Sequence, residues 1–215
     1  MDIIWYGQSC FKLKGKNATI VIDPYDPEML GLKLKPSDLE ADAVLETHSH
    51  PDHNYTKDLP NDPVIIAGPG EYEVKGVSVI GVSVFHDKVQ GAERGKNTVY
   101  VVNMDGLNIA HLGDLGHTLT QEQTEAMGNV DILLVPVGSV YTIDAKDATE
   151  VVSQLEPKII IPMHYSGLPG FKIPLEPVEN FLKEMGVEHP EPQNKLTITK
   201  DKLPDEPQVV VLSKS

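Results

Sequence analysis

One segment of six residues constrains this chain more than any other, because it contains three histidines and an aspartate: His48, His50, Asp52 and His53. An apolar run at 42–47 precedes it and predicts a buried strand that ends at a loop. On an extended segment alternate side chains point the same way, so we expect His48 and His50 to bind one ion together. Asp52 and His53 lie past the bend at Pro51 and suit a second ion.

The donor types narrow the choice of metal. Neutral imidazole and carboxylate without thiolate favour zinc, with manganese, nickel or iron also compatible. The alternative is a polar turn without function, but such turns usually use Gly, Asn and Ser. The single cysteine, Cys10, sits in an apolar segment and is interpreted as a small core residue.

Composition sets broad limits on what the chain does. Its 215 residues can bury a full core, and we expect 1–215 to form a single domain. The net charge of −14 argues against a protein that binds nucleic acid through non-specific phosphate contacts. No run approaches the ~18 apolar residues of a membrane span, and we do not expect the charged start to be a signal peptide. With one cysteine and so no internal disulfide, the chain is expected to be cytoplasmic and to have no membrane partner.

Hydrophobic patterning predicts strands first and then alternating helices and strands. Region 25–40 is expected to be a surface loop, 68–72 a turn, and 196–198 with 209–212 a closing strand pair. An α+β fold of two sheets sandwiched between helices accommodates this order. The predicted strands are 3–6, 10–13, 18–22, 42–47, 64–66, 77–85, 97–104, 107–112, 132–135 and 158–162, and the predicted helices are 118–127, 144–155 and 177–185.

Three further polar residues follow predicted apolar strands. His86, Asp114 and His164 each stand where a strand ends, which is the usual position of site residues on a rigid scaffold. Taken singly, each has an ordinary explanation, because a histidine at a strand end is commonly exposed and an aspartate before a helix is commonly an N-cap. Together with the histidine-rich segment, they predict a centre that holds two metal ions.

The order of these residues resembles the metallo-β-lactamase-fold hydrolases. The resemblance extends from about residue 2 to about residue 185, and within the family it points to the small branch that includes the L-ascorbate-6-phosphate lactonase-like proteins. It implies a four-layer αββα sandwich with the metals at one edge, between the two sheets. The supporting segments are 7–11, 22–25, 48–53, 85–87, 111–115 and 162–165.

The resemblance also implies a division of ligands and an activity. A first metal would be held by His48, His50 and His86, and a second by Asp52, His53 and His164, with Asp114 bridging both. Two divalent ions placed ~3.5–4 Å apart lower the pKa of a bridging water, which is then present as hydroxide. They also stabilise the attacking and leaving oxygens. The expected activity is hydrolysis of an ester, lactone or phosphoester bond in a small molecule.

Five residues are candidates for roles beyond metal binding. His111 is expected either to orient the bridging carboxylate or to be a hydrogen-bonded buried histidine. His117, at the predicted start of a helix, is a candidate proton donor, and Asp52 a candidate proton acceptor as well as a ligand. Arg94, the only arginine, is a candidate clamp for a phosphate or carboxylate, and Tyr165 a candidate hydrogen-bond donor to a developing oxyanion.

Three functions remain open at this point. The first is hydrolysis of a small, possibly phosphorylated substrate, which rests on family resemblance. The second is a phosphodiesterase acting on nucleotides or nucleic acid, which would need a basic track beside the site. The third is a non-catalytic metal-binding protein, which the complete ligand set disfavours.

Overall fold

The computed structural model describes residues 1–57 and 59–215, and its strands form two sheets. The first sheet has the order β12-β1-β2-β3-β4-β5 and the second the order β13-β11-β10-β9-β8-β7-β6. The strands are β1 Asp2–Gly7, β2 Cys10–Lys14, β3 Thr19–Ile22, β4 Ala43–Glu46, β5 Val64–Ala67, β6 Gly70–Val74, β7 Val77–Phe85, β8 Lys96–Met104, β9 Leu107–His111, β10 Ile132–Pro136, β11 Ile159–Met163, β12 Leu196–Thr197 and β13 Gln208–Val209.

The first sheet is apolar on both faces, and its side chains alternate between two clusters. On β3, Ile20 and Ile22 pack between the sheets, whereas Val21 points to the outer face. The outer face is covered by a short helix, α1 Pro27–Leu30, and by a 3₁₀ turn at Pro36–Leu39. Region 25–40 is therefore not the simple surface loop that we predicted, because Leu30 and Leu39 are buried against the sheet.

Three helices follow in the second half of the chain: α2 Gln121–Met127, α3 Ala145–Leu155 and α4 Val178–Glu184. Helix α2 contacts β7, and α3 contacts β10 and α4. Strands β10 and β11 are buried along their whole length, as expected of parallel strands covered on both faces. The predicted α+β sandwich is confirmed, with α1 and the 3₁₀ turn as a thin outer layer on the first sheet.

Two predictions about individual elements were wrong. Region 68–72, predicted as a turn, is a bend only at 68–69, because residues 70–72 belong to β6, which pairs with β7 at the edge of the second sheet. The two terminal strands do not pair with each other. Instead β12 pairs with β1 and β13 with β11, so the last residues of the described chain join opposite sheets.

The topology brings four strand ends to one edge of the sandwich. Strands β9, β10 and β11 are parallel, and β7 runs in the same direction as β9 because each is antiparallel to β8. The residues that follow β7, β9 and β11 therefore emerge together, opposite the segment that follows β4. In the described part of the chain the longest helix is α3, with 11 residues, and none of the helices is long and apolar enough to cross a bilayer.

Tyr100 ties the two sheets together, which leads to a stability prediction. Its hydroxyl lies 3.0 Å from the carbonyl oxygen of Glu46 in the first sheet and accepts the backbone N–H of Gly68 at 2.9 Å. Tyr100→Phe leaves these backbone groups without that partner, so the free energy of unfolding should fall by about 1–3 kcal/mol in urea titrations. Tyr72→Phe is the control, because Tyr72 is only half-buried at the sheet edge. Equal losses in the two variants would contradict the bridging role.

Candidate metal centre

Three histidines form the first donor group of the site. The ligand atoms of His48, His50 and His86 lie within 4.8 Å of one another. The backbone at 47–53 is a series of bends and turns rather than the extended segment we predicted, and His53 N–H donates to the His50 carbonyl oxygen at 2.9 Å. The expected pairing still results, since His48 Nε2 and His50 Nδ1 are 3.0 Å apart and face the same point.

A second donor group combines two carboxylates and two imidazoles. Ligand atoms of Asp52, His53, Asp114 and His164 also lie within 4.8 Å of one another. His53 Nε2 is 3.5 Å from Asp52 Oδ2 and 3.2 Å from Asp114 Oδ1. The structure therefore brings together all seven residues that the sequence nominated as ligands.

Asp114 lies between the two groups. Its Oδ2 is 3.3 Å from His86 Nε2 in the first group and 3.3 Å from His164 Nε2 in the second. Burial raises the pKa of this carboxyl, but the charges of the nearby His164 and His53 outweigh burial and hold the pKa well below its usual range. An ionised carboxylate in this position can be shared by two cations.

The donors fit divalent ions, because several buried atoms have no hydrogen-bond partner among the described residues. They include His53 Nε2 and Asp114 Oδ1, both in the second donor group. Unpaired buried polar atoms cost about 1–3 kcal/mol each, and a bound cation would remove that cost. Burial lowers the pKa of His48 to about 3, so its ring is neutral and has a lone pair to donate.

Asp23 is a supporting residue that sequence reasoning missed. Its Oδ2 accepts His53 Nδ1–H at 2.7 Å and the hydroxyl of Thr47 at 2.7 Å. Because Thr47 donates its hydroxyl proton to Asp23, Thr47 Oγ1 can only accept a hydrogen bond from the His48 ring. His48 Nδ1–H therefore donates to Thr47 Oγ1 at 3.0 Å. Both rings thereby have Nδ1–H bonded to a supporting residue, which turns Nε2 toward the donor groups. The sequence signal that could have identified Asp23 is its position directly after an apolar strand, as for the candidate ligands.

Two amides support the carboxylate ligands. Gln8 is buried and donates from Nε2 to Asp52 Oδ2 at 3.0 Å. Asn97 Oδ1 accepts the backbone N–H of Asp114 at 3.2 Å, and its Nδ2 donates to the Leu112 carbonyl oxygen at 2.8 Å. The turn between them requires Gly113, which has a φ of 55° and where a Cβ atom would lie 2.4 Å from Asn97 Oδ1. These contacts fix the loop that presents Asp114.

The two donor groups open into a cavity of about 460 Å³. A larger cavity of about 680 Å³ lies on the outer face of the first sheet and has none of the seven candidate ligands among its lining residues, so the chemistry belongs to the smaller one. The lining residues of the smaller cavity are Met29, His50, Pro51, Asp52, His86, Arg94, Asp114, Tyr141, His164, Lys172, Ile173 and Pro174.

The remaining candidate residues differ in whether they line this cavity. Arg94 lines the cavity as expected. His111 is buried, with Nε2 2.8 Å from the Ser9 carbonyl oxygen and Nδ1 accepting Gly113 N–H, so it supports the Asp114 loop and does not line the cavity.

His117 and Tyr165 do not reach the cavity. His117 precedes α2, which begins at Gln121, and its ring is held by the backbone: Nε2 accepts Phe85 N–H and Nδ1 donates to Thr118 O. That arrangement leaves no ring nitrogen for a leaving group. Tyr165 is buried with its ring 5.1 Å from that of Trp5, and burial raises the pKa of its phenol.

The support from Asp23 can be tested without removing a ligand. The Asp23 carboxylate accepts hydrogen bonds from the backbone N–H of Thr47, the hydroxyl of Thr47 and Nδ1–H of His53. Asp23→Asn replaces it by an amide that must turn an N–H toward at least one of these donors. Metal affinity in chelator competition should fall by about 10–100-fold. Asp26→Asn, which alters only the N-cap of α1, should leave affinity unchanged. Unaltered affinity in Asp23→Asn would exclude the supporting role.

The pH dependence of metal binding should differ between the two groups. Burial lowers the pKa of His53, but Asp114 and Asp23 outweigh it and raise the pKa well above the usual value. An ion in the second group must displace that proton, so its affinity should rise with pH, up to tenfold per unit, until the pKa of His53 is passed. In the first group burial lowers the pKa of both His48 and His50, so neither ring has a proton to displace between about pH 6 and pH 8, and the pH dependence should be weaker. Two-step metal titrations across this range test the difference, and equal slopes would contradict it.

Comparison with known proteins agrees with this geometry. Residues 2–164 match the family model of the β-lactamase superfamily domain. The chain is 32% identical to a UPF0173 metal-dependent hydrolase of Thermoplasma acidophilum, over 77% of this chain and 84% of the relative. It is 31% identical to another from Thermococcus onnurineus, over 86% of this chain and 92% of that relative.

Solved structures give the same result. A crystal structure from Thermotoga maritima, described as a candidate zinc-dependent hydrolase of the metallo-β-lactamase superfamily, has a TM-score of 0.80 and 40% identity, covering 98% of this chain and 97% of that one. An isothiocyanate hydrolase from Delia radicum gut bacteria, at 17% identity, shares the fold with a TM-score of 0.67 over 92% of this chain and 99% of that one. The chain has the metallo-β-lactamase fold and belongs to the UPF0173 family of metal-dependent hydrolases.

Proposed function

We propose that this protein hydrolyses an ester, lactone or phosphoester bond of a small molecule at a centre that holds two divalent ions. The observation that carries the proposal is the position of Asp114 between two separate donor groups that open into one cavity. A cavity of about 460 Å³ is within the range of small-molecule sites.

In this proposal the two ions and the Asp52 carboxylate have separate roles. Bound together, two divalent ions supply Lewis acidity and lower the pKa of water. Asp52 lines the cavity and is held by Gln8. Burial raises the pKa of Asp52, but the hydrogen bond and charge of His53 lower it to about 2, so the carboxylate is ionised. An ionised carboxylate can hold a cation, whereas a pKa this low makes it a weak base, so metal binding is the better supported of its two proposed roles.

Zinc is the metal we favour. The donor set of imidazoles and carboxylates suits zinc, and the Thermotoga maritima relative at 40% identity is described as zinc-dependent. Among the candidate bonds, a lactone is favoured by the resemblance to the L-ascorbate-6-phosphate lactonase-like branch. Nucleic acid is disfavoured as substrate by the net charge of −14.

Removing a ligand tests the two-ion centre directly. His50→Ala and Asp114→Ala should lower the bound metal per chain, measured by elemental analysis, and reduce kcat/KM by more than about a hundredfold on a lactone and ester panel. Asp114→Ala should lose more metal than His50→Ala, because its carboxylate contacts both groups. The control is His189→Ala, an exposed histidine outside the cavity. Unchanged metal content in both ligand variants would overturn the proposal.

A further inference from the structure

The loop that follows His86 is built around one carboxylate. Asp87 accepts four backbone N–H groups at 2.7–3.0 Å, from Val89, Gly91, Glu93 and Arg94. Burial raises the pKa of Asp87, but these donors outweigh it and lower the pKa to about 2. The carboxylate is therefore ionised at neutral pH, and the backbone of Arg94 is fixed at the cavity.

The side chain of Arg94 is held in place without a strong acidic partner. Its Cζ lies 5.6 Å from the ring centroid of Tyr141, within the range of a cation–π contact. The ion pair recorded for it in the described part of the chain is with Glu93, at 3.8 Å between Nη1 and Oε2, and Glu93 is largely exposed. That distance is too long for a hydrogen bond, so the pair leaves the guanidinium N–H groups available.

The position of Arg94 stands out against the charge of the chain. It is the only arginine in a protein with a net charge of −14, and it lines the same cavity as the ligands His50, His86 and Asp114. The other cation of this cavity, Lys172, donates from Nζ to the Glu28 carbonyl oxygen at 2.6 Å. Lys172 is thus engaged in joining its loop to α1, whereas Arg94 is not engaged in this way.

Part of the cavity lining is apolar. Met29 from α1 is 43% exposed, and Ile173 and Pro174 line the same cavity. Apolar side chains that share a cavity with a cation form a surface for a molecule with an apolar part and an anionic group.

We propose that Arg94 determines substrate specificity by binding an anionic oxygen group, a carboxylate or phosphate, of a small amphiphilic substrate. The apolar part of that substrate contacts Met29, Ile173 and Pro174, and its scissile bond lies at the donor groups. The inference rests on the proposed function, because it assigns a substrate class to the same site. A guanidinium suits either anion, since its planar donors match both geometries.

Three esters with one leaving group test the specificity. They are p-nitrophenyl hexanoate, mono-p-nitrophenyl adipate and p-nitrophenyl 5-phosphonopentanoate, in which four methylenes separate the ester carbonyl from a methyl, carboxylate or phosphonate end. Arg94→Met should raise KM for the anionic esters by about 10–100-fold, as expected for loss of a charged hydrogen bond. The value of kcat and the KM for the neutral ester should stay within about twofold of wild type. The anionic ester with the larger change identifies the anion.

Two further variants separate charge from geometry. Arg94→Lys retains the charge but loses the planar fork, so its KM for the anionic esters should lie between those of wild type and Arg94→Met. Lys96→Met removes one charge from the same hairpin at an exposed residue that does not line the cavity, and it should leave all three KM values unchanged. Equal effects of Lys96→Met and Arg94→Met would reduce the role of Arg94 to general electrostatics and overturn the inference.

A binding measurement separates failure of the inference from failure of the proposed function. Calorimetric titration of the metal-loaded protein with hexanoate and with hexylphosphonate needs no turnover. Weaker binding of either anion to Arg94→Met, by about tenfold or more, supports the inference even if no ester is cleaved, in which case only the proposed hydrolysis fails. Equal affinities of wild type and Arg94→Met for both anions, with the esters still hydrolysed, would overturn the inference alone.

Discussion

A buried carboxylate surrounded by imidazoles is the constraint on which the rest of this molecule depends. Asp114 is 2% exposed, and an isolated charge at such a depth costs several kcal/mol unless positive groups compensate it. Three imidazole nitrogens, from His53, His86 and His164, lie 3.2–3.3 Å from its oxygens. They come from three different strand ends, so the sandwich must hold those ends together for the carboxylate to remain ionised. Fold and site are therefore stabilised by the same contacts.

The second carboxylate, Asp23, explains why the site can be preformed. It lies on the far side of His53 from Asp114, and through Thr47 it also reaches His48. One residue thereby orients a ligand in each donor group before any ion binds. Such preorganisation reduces the conformational entropy lost on metal binding.

The sequence predicted the parts of the site that depend on local spacing. The group at 48–53 is contiguous, and the remaining ligands were recognisable as polar residues after apolar strands, with support from a family resemblance. Asp23 was missed because its partners lie 24 and 30 positions away, and only the parallel pairing of β3 with β4 brings them together.

Other predictions failed because neighbours in sequence need not share a face. Tyr165 directly follows a candidate ligand, yet its ring packs against Trp5 in the core. His117 lies near Asp114 in sequence, yet the backbone around β7 takes both of its ring nitrogens. The terminal strands were assigned to one pair because both are short and apolar. Their real partners, β1 and β11, are set by tertiary packing that patterning does not encode.

Net charge and site charge act over different distances in this protein. A charge of −14 repels anions from the surface, but at physiological salt such repulsion is screened beyond about 8 Å. Inside the cavity the field depends on nearby groups, which include the guanidinium of Arg94. The proposed selection of an anionic small molecule at close range is therefore compatible with an acidic surface, which disfavours large polyanions whose many phosphates would meet the whole negative surface at once.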